Sequence, residues 1–128
     1  MPEFTDATTA DAPVEDVWKL LYDPARFPEW MAGLTAVDVG ADGAYTAYLD
    51  GAADFPMPQV VRADGRTVTV SCLVSDLEFA WRLEPHGDTT AIAVHVVLPE
   101  REAVRLDAQR ELVARSLRAL ADLAARRG

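Results

Sequence analysis

The sequence predicts an α+β fold in one domain of 128 residues: one strand, two short helices, six strands and a long final helix. Three observations carry that order. Turn signals recur about every ten to twelve residues between Leu34 and Leu98, with strand-type alternation between them. Pro99-Glu100 opens a stretch without Gly or Pro until Gly128, with apolar residues at three- to four-residue steps. Two proline-marked helix starts precede the series of strands.

Phe4 to Ala10 reads as the first strand. Asp11-Ala12-Pro13 starts a helix, Pro13 being suited to its first turn, and Val14, Val17, Trp18, Leu20 and Leu21 share one face. Trp18 is expected between this helix and the sheet. Asp23 caps a second helix with Pro24 following; Pro28 keeps it short, over Pro24 to Met31.

The strand series is punctuated by Gly40-Ala41-Asp42-Gly43, Asp50-Gly51, Ala63-Asp64-Gly65-Arg66, Ser75-Asp76 and His86-Gly87-Asp88. After Phe55-Pro56-Met57-Pro58 the prolines exclude regular pairing until about Gln59. Thr67 to Val74 sets Val68, Val70, Cys72 and Val74 against Thr67, Thr69 and Ser71. Leu77 to Leu83 sets Leu77, Phe79, Trp81 and Leu83 against Glu78, Ala80 and Arg82. The final helix, from Pro99-Glu100 to about Arg126, carries Ala103, Leu106, Val113, Leu117, Leu120 and Ala124 as one stripe, widened by Leu112 and Leu123.

Composition excludes several functions. The formal net charge of −9 argues against nucleic acid and anionic membrane surfaces as partners, since both need clustered basic residues. No apolar run is long enough to span a bilayer, and the acidic start lacks the features of a signal peptide, so a cytoplasmic location is expected. A single cysteine, Cys72, permits no internal disulfide and no cysteine-based metal cluster, and it reads as a buried structural thiol. There is no phosphate-binding glycine loop and no serine nucleophile elbow. The two histidines, His86 in a turn and His95 in a strand, lack a third ligand nearby. No metal and no cofactor are therefore expected. Glu100-Glu102 and Asp50 with Asp54 read as solvated carboxylates.

The segment Asp11-Ala12-Pro13-Val14-Glu15-Asp16-Val17-Trp18, followed by Asp23-Pro24-Ala25-Arg26-Phe27-Pro28-Glu29-Trp30-Met31, resembles the opening of the START-like (SRPBCC) superfamily. It is most similar to the polyketide cyclase/dehydrase branch. The element order is that of the helix-grip fold, also called START-like or Bet v 1-like. The resemblance implies a curved antiparallel sheet wrapped around the last helix, with a cavity between them for a hydrophobic or aromatic small molecule. It is sharp over the opening and speaks for fold more than for activity.

The resemblance also implies candidate residues. Both faces of the seventh strand are apolar, so alternation leaves its facing open. Likeness to the aromatase/cyclases puts Ala91, Ala93, His95 and Val97 toward the cavity and Ile92, Val94 and Val96 outward. In such a pocket His95 can act as a neutral base beside a ketone. The pocket arginine of those enzymes has its nearest counterpart in Arg62, with Gln59 and Val60 as alternatives. Phe79 and Trp81, with Val70 and Cys72, are expected along the sheet wall, and Val113 and Leu117 on the helix. Phe27, Trp30 and Met31 are expected near the mouth. Tyr45 and Tyr48 lie on opposite faces, so at most one enters; Tyr45 is the candidate.

Three functions follow as expectations. One is a cyclase, aromatase or dehydratase of bacterial secondary metabolism, with His95 and Arg62 handling protons. Another is a non-catalytic carrier, sequestration protein or sensor of a hydrophobic ligand. The third is a co-chaperone-like interaction module or homodimer built on an outward patch of Ile92, Val94 and Val96.

Overall fold

The computed structural model describes residues 2–50, 56–73 and 76–127. Gly51, Asp54, Phe55, Val74, Ser75 and Gly128, invoked above in turns, a strand, a carboxylate pair or a helix end, lie outside the described residues. The elements are β1 (Glu3–Ala10), α1 (Val14–Leu21), a 3-10 helix (Pro24–Glu29), β2 (Leu34–Val39), β3 (Ala44–Leu49) and β4 (Met57–Asp64). They continue with β5 (Thr67–Cys72), β6 (Glu78–His86), β7 (Thr89–Val97), a second 3-10 helix (Glu100–Arg105) and α2 (Leu106–Arg127).

The strands form one curved antiparallel sheet in the order β1-β7-β6-β5-β4-β3-β2. Sequential neighbours from β2 to β7 pair antiparallel, and β1 closes the far edge by pairing with β7, from Glu3 opposite Val97 to Ala10 opposite Thr90. The β2–β3 turn needs its glycine. Gly43 has φ +82°, its carbonyl accepts from Val61 N at 2.9 Å, and a Cβ there would lie 2.3 Å from the Val61 carbonyl oxygen.

α1 begins one residue after Pro13, whose carbonyl accepts from Asp16 N at 3.0 Å. Asp23 Oδ1 accepts from Ala25 N at 3.1 Å, which is the expected cap. The segment it starts is a 3-10 helix ending at Glu29 rather than a helix to Met31. Pro28 has no N–H to continue an α-helical ladder. β4 starts earlier than expected, at Met57. Pro58 serves the sheet through its carbonyl, which accepts from Leu73 N at 2.9 Å, a bond that asks no donor of the proline. The long helix is also divided. Glu100–Arg105 buries no side chain and winds as a 3-10 helix, leaving Ala103 and Val104 exposed; the packed α-helix starts at Leu106.

α2 lies along the concave face of the sheet with Val113, Leu117, Leu120 and Ala124 buried against it. Toward the α1 end the core is closed by a chain of edge-to-face rings. Tyr45 meets Phe27 at 5.5 Å, Phe27 meets Trp30 at 5.6 Å, and Trp30 meets Trp81 at 5.2 Å between centroids. Trp30 Nε1 donates to the Leu20 carbonyl at 2.9 Å, which satisfies an orphan acceptor at the end of α1. Trp18 is half-buried rather than enclosed, and stacks on Tyr22 at 5.7 Å.

Candidate functional site

Beside those rings, with Trp81 shared between them, the sheet and α2 leave a cavity of about 400 Å³. That is ample for a ligand of two to four fused rings, within the usual range for small-molecule pockets of about 300–1,000 Å³. Alternation along each strand decides the floor. Ala47 of β3, Val70 and Cys72 of β5, and Phe79 and Trp81 of β6 point inward, and Gln59 of β4 is the polar side chain among them. The roof is α2, through Leu112 and Val113, with Gln109 and the exposed Arg115 at its rim. The end wall is the turn from Met31 to Leu34. Gly33 there has φ +82°, and a Cβ would come within 3.3 Å of Leu112, so glycine lets this turn lie close under the helix.

Ser116 fixes that wall. Its hydroxyl donates to the Leu112 carbonyl and accepts from Ala32 N, both at 2.8 Å, tying the turn to α2. At the rim Asp50 accepts from Thr35 Oγ1. Deeper, the Tyr45 hydroxyl donates to Gln59 Oε1 at 2.5 Å. Burial, with a smaller contribution from Cys72, pushes the Tyr45 phenol well above its ordinary range, so it keeps its proton. Trp81 Nε1 is buried with no hydrogen-bond partner among the described residues.

The structure brings Met31, Val70, Cys72, Phe79, Trp81 and Val113 to the cavity wall. Phe27, Trp30, Tyr45 and Leu117 stand behind it, enclosed in the core; Phe27 and Trp30 close the inner end rather than the mouth. The facing of β7 is the reverse of the expectation. Ile92, Val94 and Val96 are fully buried, whereas Ala91, Ala93, His95 and Val97 lie on the outer face. The cause is packing. Val94 sits opposite Trp81 and Ile92 opposite Leu83, on a stretch of inner sheet filled by the core rather than opening on the cavity, so bulky β-branched residues belong there. His95 is 45% exposed, with Nε2 2.9 Å from Glu3 Oε1, and cannot serve the cavity as a base. Arg62 is exposed on the outer face beside Thr69, one position out of phase with the inward Val61. The proposed patch of Ile92, Val94 and Val96 is core and offers no surface to a second copy or a partner.

Sequence reasoning missed Gln59 as a wall residue in its own right, and also Ser116, Leu112 and Gly33. The parity of Gln59 with buried Val61, and the place of Ser116 within the helix stripe, were the available signals. Among the described residues no cluster of three or more His, Cys, Asp or Glu is placed to hold a metal ion, and no helix is long and apolar enough to cross a membrane.

A curved sheet gripping a C-terminal helix over an apolar cavity defines a START-like, helix-grip protein. The family described as "Polyketide cyclase / dehydrase and lipid transport" matches residues 1–127, and the chain belongs to it. Among solved structures, the Zhui aromatase/cyclase from Streptomyces sp. R1128 is similar with a TM-score of 0.82 at 16% identity, over 98% of this chain and 94% of that one. A START superfamily protein from Mycobacterium smegmatis gives 0.76 at 14%, over 98% and 95%. The di-domain aromatase/cyclase BexL of the BE-7585A biosynthetic pathway gives 0.77 at 18%, over 95% of this chain and 46% of that one. At such identities the likeness is one of fold. No functionally curated protein matches the sequence.

Proposed function

We propose that the protein binds a flat hydrophobic or aromatic small molecule in this cavity and holds it unchanged, as a carrier or sequestering protein. The observation that supports this most is the chemistry of the wall. Its floor and roof are apolar apart from Gln59, and among the described residues lining it there is no histidine, glutamate or lysine; its formal charges, Asp50 and Arg115, are exposed at the rim. Such a surface gains from burying apolar area and from ring contacts with Phe79 and Trp81, and lacks a placed group to move a proton. A second reading, a cyclase that works by confining its substrate, is favoured by the overall likeness to the Zhui aromatase/cyclase.

The two readings separate by recovery of the ligand. The protein is titrated with aromatic polyketides, flavonoids, fatty acids and sterols, following tryptophan fluorescence, and the bound compound is extracted after long incubation. The carrier reading predicts saturable binding and an unaltered mass and chromatographic profile. A ring-closed or dehydrated product formed faster than in buffer would replace it with the cyclase reading.

A further inference from the structure

We infer that Tyr45 fixes the orientation of the Gln59 amide, so that Gln59 turns its N–H donors toward the cavity and selects uncharged ligands bearing an acceptor oxygen. This rests on the reading of the cavity as a small-molecule site. Tyr45 is 3% exposed. A buried hydroxyl proton without an acceptor is costly, and the bond to Gln59 Oε1 is its partner. Turning the amide over would set N–H against the phenol and strand the phenolic proton. Gln59 Oε1 is therefore held toward Tyr45 by one of its two lone pairs, and Nε2 points the other way.

The amide nitrogen has no protein partner among the described residues, and it is not walled off as Trp81 Nε1 is. Gln59 lies on β4 between Tyr45 of β3 and Cys72 of β5, on the cavity floor. A carbonyl oxygen on a flat apolar ligand satisfies this donor. A carboxylate does not fit, because one amide cannot replace its hydration, and the Arg115 cation is out at the rim. Tyr45 acts here as a positioning residue, and Gln59 as the group that touches ligand.

The test compares ligands that differ in one group: 9-fluorenone, fluorene and fluorene-9-carboxylate, with dissociation constants from equilibrium dialysis. The wild type is expected to bind fluorenone about 3- to 10-fold more tightly than fluorene, the range of one net neutral hydrogen bond. The carboxylate should bind more weakly than either. In Gln59→Leu the fluorenone preference disappears while fluorene still binds; Gln59→Met, equal in length, takes its place if that variant fails to fold. Tyr45→Phe frees the amide to turn and shrinks the fluorenone-to-fluorene ratio, a readout that a merely structural loss would not move. Gln59→Glu keeps an acceptor for Tyr45 and removes the donor, so it should also lose the preference. Equal affinity for fluorenone and fluorene in the wild type, or a ratio retained in Gln59→Leu, overturns the inference and leaves the cavity reading standing. Failure of all three compounds to bind overturns both.

Discussion

Tyr45 links stability to pH. Its phenol is held protonated by burial, whereas in the unfolded chain it ionises near pH 10. Above that pH the unfolded state loses a proton the folded state keeps, so stability is intact below about pH 10 and falls as pH rises past it. Urea unfolding at several alkaline pH values should show this decline, at most about 1.4 kcal/mol per pH unit from this group, and Tyr45→Phe should flatten it. An equally steep decline in the variant would assign the effect elsewhere. Gly43 is a second sensitive position. Gly43→Ala meets both a positive φ and the Val61 carbonyl, and should cost at least about 2 kcal/mol in the same assay. His95→Ala, by contrast, removes an exposed contact with Glu3 and should change stability by less than about 0.5 kcal/mol, with ligand affinity unaltered. A large loss of binding in that variant would mean that the outer face of β7 takes part in the site.

At the level of elements, the cavity depends on how the Met31–Leu34 turn is held to α2. Ser116→Ala deletes both hydroxyl bonds and leaves Ala32 N without its partner. Thermal unfolding should register a loss of about 1–2 kcal/mol, and ligand affinity should fall as the end wall loosens. Unchanged values on both counts would show that backbone packing alone holds the turn. Elements were also where the sequence was most and least legible. The alternation of β5 and β6 is sharp because polar residues occupy one parity, and Val70, Cys72, Phe79 and Trp81 fall inward as that pattern requires. β7 offers no such contrast. Ala91, Ala93 and Val97 are apolar like Ile92, Val94 and Val96, so its facing is decided by which set fills the space beside Trp81 and Leu83. Side-chain volume held that information where polarity did not. Glu100–Arg105 is a further case, where propensity suits a helix but no side chain is buried and the segment winds as a 3-10 helix.

For the whole molecule, the order of elements and the Asp-Ala-Pro and Asp-Pro helix starts sufficed to place the chain in its fold, because caps and turns are local and written in a few residues. The cavity is not local. It is lined jointly by β3, β4, β5, β6, the Met31–Leu34 turn and α2, beside the Tyr45-Phe27-Trp30-Trp81 rings. Gln59 acquires meaning only once Tyr45 is opposite it in register. If this space receives a small hydrophobic molecule, filling it must weaken binding. Cys72→Phe adds a ring to the cavity floor without altering the rim or the surface charge. Fluorene binding by tryptophan quenching should be saturable in the wild type and at least about tenfold weaker in this variant, with circular dichroism unchanged. Binding that survives the filled cavity at wild-type affinity would place the ligand elsewhere on the protein.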